Sequence, residues 1–169
     1  MVATAHDALI ERLLAAERPG TASASLTLAD AECLAESAEA KARQMALAVV
    51  VAVADAEGQQ ILFHRMDGSL PASIALATDK AWTAAALRMG TDDLGRLAQP
   101  GQMLFGIEAT HGGRIVIFGG GLPCRRNGTV IGAIGISGGT ADEDVVIARH
   151  AVNAFSNISG HDPAKGAEK

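Results

Sequence analysis

The stretch Thr129–Ser137, TVIGAIGIS, carries its bulk on one side only. Extended backbone sends alternate side chains to opposite faces, so Val130, Ile134 and Ile136 share one face while Ala133, Gly135 and Ser137 share the other. The bulky face suits an ordinary hydrophobic core. The small face admits only something that approaches very closely: a helix, a ligand or a second subunit. Glycine weakens a strand, so its repeated use needs a geometric reason. The neighbourhood repeats the pattern, with Gly119, Gly120 and Gly121 upstream and Gly138 and Gly139 immediately downstream.

The flanking sequence supplies the rest of the sheet and its cover. Thr27 followed three residues later by Asp30 is an N-cap pattern, and it opens an Ala/Glu/Lys-rich helical run that ends near Ala46. Two apolar runs separated by DAEG, Leu47–Ala54 and Gln60–Met66, predict an antiparallel hairpin. Pro71 suits the first turn of a helix continuing through Arg88. A shorter helix is expected over Asp92–Ala98, then a long loop over 99–113. Arg114–Phe118 and Thr129–Ser137 are expected as the last two strands, and Thr140 with Glu143 forms a capping box for a helix ending near Ile158. This order lacks the strand–helix alternation of a parallel sheet. It predicts an α/β (α+β) architecture, an antiparallel sheet with helices packed over it.

A chain of 169 residues fits one domain. We expect an N-terminal amphipathic arm and linker over 1–24, the domain over 25–159 and a fraying tail over 160–169. The arm spaces Leu9, Leu13 and Ala16 among charges, unlike a signal peptide or membrane span. A net charge of -5 argues against a nucleic-acid surface. With two cysteines, Cys33 and Cys124, neither a disulfide framework nor a four-thiolate zinc site can form within the chain, and a cytoplasmic setting is expected.

Several catalytic patterns can be weighed directly. GISGG, Gly135–Gly139, satisfies G-x-S-x-G, yet that class needs a larger, mostly parallel sheet and a downstream Asp and His, and the only histidines downstream of Ser137 are His150, on the final helix, and His161, in the tail. GGGLPC fails as a dinucleotide fingerprint because Cys124 takes the place of the last glycine, and there is no Walker loop. An anion cradle is the better physical reading. Gly138, Gly139 and Thr140 sit at a helix start, where free N–H groups and the helix dipole favour a carboxylate or phosphate. Gly119, Gly120 and Gly121 would admit the body of the ligand. Against this stands a packing role, in which the glycines only permit the turn and dense helix–sheet contact.

The run FGGGLPCRRNGTVIGAIGISGGTADED, with HRMDG at His64–Gly68 and the helix PASIALATDKAWTAA, resembles the GlcG/HbpS family, which includes the C-terminal domain of PduO. The likeness extends from about Ser25 to Ile158. It implies a profilin-like antiparallel sheet flanked by helices, homo-oligomerisation, and haem or related tetrapyrrole binding in several members.

Under that resemblance the polar residues sort into candidates. His64 and His111 are the candidate ligands of haem iron, and neither cysteine is. Arg65 and Lys80 are candidates for pairing haem propionates or a small organic acid; an ordinary salt bridge to Asp67 or Asp79 is the alternative. With no Tyr, one Trp and four Phe, a deep aromatic-lined haem pocket would have little material, so a shallow or intersubunit site fits better. Two function classes remain open. One is a haem-binding protein whose site includes His64, Arg65, Lys80, His111, Gly119–Gly121 and Gly138–Thr140. The other is a small enzyme for an organic acid, with Arg65 or Arg125 orienting the carboxylate and His111 or His64 moving a proton.

Overall fold

The computed structural model describes residues 25–159; the expected arm at 1–24 and tail at 160–169 lie outside the described residues. Helix α1 (Leu28–Gln44) begins as its sequence dictates. Asp30 N donates to Thr27 Oγ1 (3.1 Å) and Thr27 N donates to Asp30 Oδ2 (3.0 Å), the reciprocal bonds of a capping box. Strands β1 (Val50–Asp55) and β2 (Gln60–Arg65) form the expected hairpin. Its turn is held by Asp55 Oδ1, which accepts from Glu57 N (3.0 Å) and Gln59 N (2.7 Å). Helices α2 (Ser73–Leu87) and α3 (Thr91–Leu97) follow, then strands β3 (Gly121–Arg126) and β4 (Thr129–Ser137) and helix α4 (Ala141–Ser159).

The four strands form one antiparallel sheet in the order β2-β1-β4-β3. Helices α1 and α4 cover one face, where Leu34, Val51, Val53, Ile134, Ile136, Ile147 and Phe155 build the main core. Helix α2 covers the other face, against Val50, Ala52, Ala54 and Ala133. The small-residue face of β4 is thus explained by close approach of a helix. A Cβ on Gly135 would lie 2.1 Å from Ala77 O and 2.5 Å from Ala81 N, so no other residue fits under α2.

Two expectations need correction. The bulky face of β4 holds Ile131, not Val130, beside Ile134 and Ile136. The pairing with β3 slips between Cys124 and Arg125, where Val130 and Gly132 face successive partners and Ile131 is the extra residue; this bulge shifts the alternation. Arg114–Phe118 is not a strand. Ile115 and Val116 are apolar because they are buried beside α2, with Val116 N donating to Thr83 Oγ1 (3.1 Å), and Gly121–Arg126 takes the edge of the sheet instead. Among the described residues no helix is long and apolar enough to cross a membrane.

Candidate functional site

The polar candidates fall into a sealed group and an open group. At the centre of the sealed group is Lys80, whose side chain is 1% exposed. Its Nζ donates to Asp144 Oδ2 on α4 (2.7 Å) and to Ile136 O on β4 (2.8 Å), and lies 5.1 Å from the centroid of the Phe118 ring. Burial pulls the ammonium below its ordinary value and pushes the Asp144 carboxyl above its own, each against the stabilising effect of the pair. Lys80 is committed to this pair and does not reach a propionate at the surface.

The triple glycine packs onto the same pair. A Cβ on Gly120 would lie 2.6 Å from Ile136 O and 2.7 Å from Lys80 Nζ; on Gly119 it would lie 2.4 Å from Val145 Cγ2, and on Gly121 2.5 Å from Lys80 O. The space left by the missing side chains is filled by protein, not held open for a ligand. At the start of α4 the N–H groups are also taken. Gly139 N donates to Asp144 Oδ1 (3.0 Å) and Thr140 N donates to Glu143 Oε2 (2.8 Å), so the chain's own carboxylates occupy the expected anion cradle of Gly138, Gly139 and Thr140.

Of the other candidates, Arg125 is spent on backbone, donating to Gly128 O (3.0 Å) and Arg88 O (2.6 Å). Arg65 is exposed at the end of β2. Ser137 is buried at the end of β4, and neither candidate histidine bonds to it. His64 projects from β2 on the face covered by α1, with Nδ1 2.8 Å from Glu39 Oε1 and the side chain 43% exposed. In the neutral ring that contact places the proton on Nδ1 and leaves Nε2 with its lone pair.

His111 lies on the far side of the sheet, with α2. Two short 3₁₀ turns, Ile107–Ala109 and His111–Gly113, carry it at the end of the long loop. Its ring centroid is 5.5 Å from that of Trp82, tilted by 55°. Arg114 lies over the same indole, its Cζ 4.4 Å from the ring centroid, and its Nε donates to Asp79 Oδ1 (3.1 Å). The tautomer follows from the hydrogen bonds. Thr110 Oγ1 donates its one proton to Ile107 O (2.7 Å), so it accepts from His111 Nδ1 at 3.0 Å, and the neutral ring keeps an unprotonated Nε2. Met103 and Phe105, on the same loop, are 82% and 63% exposed.

The structure therefore separates His64 from His111, withdraws Lys80 and Gly119–Gly121 into the interior, and gathers Trp82, Asp79 and Arg114 around His111. Arg114 and Trp82 were not singled out as a site by sequence reasoning. One signal was present: Asp79 and Trp82 stand three apart on a helix and so share a face.

A four-stranded antiparallel sheet between two helical layers, with imidazole, indole and guanidinium grouped on one face, is a mixed α/β architecture. The chain belongs to the family of HbpS-like haem degrading proteins, whose model matches residues 26–153. It is 44% identical over 135 residues to an uncharacterized 15.0 kDa protein of the dhaT-dhaS intergenic region of Citrobacter freundii, covering 80% of this chain and 95% of that one. It is 42% identical over 107 residues to the corrinoid adenosyltransferase PduO of Salmonella typhimurium, covering 63% of this chain and only 32% of that protein. The crystal structure of a PduOC–haem complex superposes with a TM-score of 0.74 at 40% identity, covering 77% of this chain and 94% of the other.

Proposed function

We infer that this chain binds haem or a related tetrapyrrole on the face built by α2 and the loop that ends in His111. The observation that carries this reading is the donor set. His111 is exposed, with Nε2 carrying the lone pair in the neutral ring and the ring set by the Thr110–Ile107 relay, beside the Trp82 indole and the Arg114 guanidinium. Imidazole Nε2 suits iron, the indole and the exposed Met103 and Phe105 suit a macrocycle, and a guanidinium suits a propionate. Haem, when bound, supplies a redox-active iron. The chain's contribution is to present the imidazole in its metal-binding tautomer and to hold Arg114 through Asp79. The similarity to the PduOC–haem complex supports the same ligand class.

The site is shallow on a single copy, and its exposed apolar side chains favour completion by a second copy of the chain, so a homo-oligomer is part of this reading. Free thiols at Cys33 and Cys124 fit a reducing, cytoplasmic setting. A second reading places the iron on His64, because a carboxylate on Nδ1 makes the imidazole a stronger donor.

Titration of the protein with ferric haem, followed by its absorption spectrum, tests both. His111→Ala is expected to change the ferric spectrum and weaken binding about tenfold or more, equivalent to about 1.4 kcal/mol. His64→Ala is expected to leave both unchanged. A wild-type spectrum in His111→Ala with an altered one in His64→Ala would move the iron to His64. Unchanged spectra in both variants and in their double would remove histidine ligation.

A further inference from the structure

The chain enters the described domain beside the His111 face. Leu26 N donates to Ile131 O of β4 (2.7 Å), and Ser25 Oγ accepts from Ala56 N (3.4 Å) in the turn between β1 and β2. In the same turn, a Cβ on Gly58 would lie 2.8 Å from Trp82 Cδ1. Trp82 is the ring that gathers His111 and Arg114. Ser25 is therefore tied to the turn that abuts this face, and residues 1–24 start from there.

The 99–113 loop on that face has needs that the described residues do not meet. Met103 and Phe105 are 82% and 63% exposed. Glu108, on the first 3₁₀ turn, has its Oε2 buried with no hydrogen-bond partner among the described residues, which is costly for a carboxylate oxygen. The occupant that fits carries apolar side chains with a cationic donor at their edge. Residues 1–24 hold that pattern. Leu9, Leu13 and Ala16 are spaced i, i+4 and i+7, one face of a helix, and Arg12 falls on the flank of that stripe. Residues 17–24 reach about 26 Å when extended, which gives the segment the span to lie over a loop next to its own entry point. A tethered segment also meets its site at an effective concentration on the order of millimolar, an advantage that a second copy of the chain lacks.

We propose that residues 1–24 dock as an amphipathic helix on the 99–113 loop of the same chain, with Leu9 and Leu13 on Met103 and Phe105 and with Arg12 donating to Glu108. The haem reading gives Met103 and Phe105 to the macrocycle, so the arm covers the His111 face in the haem-free chain and has to leave it for haem to enter. That regulatory consequence rests on the haem reading; the docking does not.

The test uses the full chain without haem. In Leu9→Asp/Leu13→Asp the Leu104 and Phe105 amides are expected to exchange hydrogen about tenfold faster, with the β4 amides unchanged as the control for folding. Unchanged exchange at Leu104 and Phe105 would overturn the docking. Arg12→Gln and Glu108→Gln are each expected to speed that exchange several-fold, and combining them to add nothing further; additive effects would overturn the pairing of these two residues. Leu13→Cys with Met103→Cys, in a Cys33→Ser background, is expected to oxidise to a cross-link within one chain. A cross-link between two chains, or none, would overturn docking in cis. Ferric haem is then added: its uptake by Leu9→Asp/Leu13→Asp is expected to be about tenfold faster than by the wild type. Equal uptake rates would overturn the regulatory role while leaving the exchange result standing, and the lack of a saturable haem spectrum in both proteins would count against the haem reading alone.

Discussion

Two glycine-rich segments lie close together in this chain and use glycine for opposite reasons. In Gly119–Gly121 each missing side chain is replaced by protein, with atoms 2.4 to 2.6 Å from where a Cβ would stand. In the 99–113 loop, Gly101, Gly106, Gly112 and Gly113 have nothing within 4 Å of that point, and all four have positive φ. The first segment needs the space, and at Gly120 (φ +120) the conformation as well; the second needs the backbone conformation alone. A glycine count alone does not distinguish a packed strap from an open loop, and here the open loop, not the strap, carries the exposed histidine. The strap closes over the Lys80–Asp144 pair, and the loop ends in the His111–Trp82–Arg114 group.

The sharpest way to break this contrast is to add side chains on both sides of it. Gly120→Val puts a branched side chain against Ile136 O and Lys80 Nζ at a residue with φ of +120. Clash, strain and disturbance of a buried ion pair combine, and the expected loss exceeds about 4 kcal/mol. Gly106→Ala meets no neighbour and bears only the left-handed conformation at φ +86, a loss of about 1–2 kcal/mol. Urea denaturation of the two variants measures the difference. Similar midpoints would mean that the strap is not packed as described.

The next largest effect concerns what the strap covers. Lys80→Met leaves the Asp144 carboxylate buried without its cation, which is expected to cost about 3–5 kcal/mol. Adding Asp144→Leu removes the stranded charge, so the double variant should be more stable than Lys80→Met alone. A double variant as unstable as the sum of the two single changes would show that the ion pair contributes nothing as a pair.

Most of the fold was legible in the sequence, because the signals were local. Capping residues at Thr27 and Thr140, the turn DAEG and the two-sided strand TVIGAIGIS each fix their element without reference to distant neighbours. Arg114–Phe118 misled because an apolar run under a helix reads like a strand, and the strand that replaces it contains Gly121 and Pro123, residues that disfavour strands. The bulge at Ile131 depends on pairing with β3 and has no local signal. At the candidate site, Lys80 looked like a surface cation because lysine usually is one. Its burial depends on Asp144, 64 residues away, through a contact that only the folded chain creates. His111 and Arg114 are near in sequence, but the indole that gathers them belongs to α2.

The smallest effects are at the start of α4, where the chain's own carboxylates replace the expected ligand. Thr140→Ala removes the hydroxyl that accepts from Glu143 N (3.3 Å) and donates to Glu143 Oε2 (2.9 Å), a loss of about 1 kcal/mol for a helix cap. Glu143 adds a pH dependence. Hydrogen bonds from the Thr140 backbone, then from its side chain, hold the carboxyl below its ordinary value of 4.5. A depressed folded-state pKa means that the stabilisation is present above the unfolded value and is lost as the pH falls through the folded one. Wild type should therefore exceed Glu143→Gln in urea midpoint near neutral pH, and the two should converge as the medium is acidified past that lower value. The group is on the surface, so the difference should be small and should arise only from this cap. A gap that persists in strong acid would show that Glu143 stabilises α4 through its packing rather than through its charge on the Thr140 N–H.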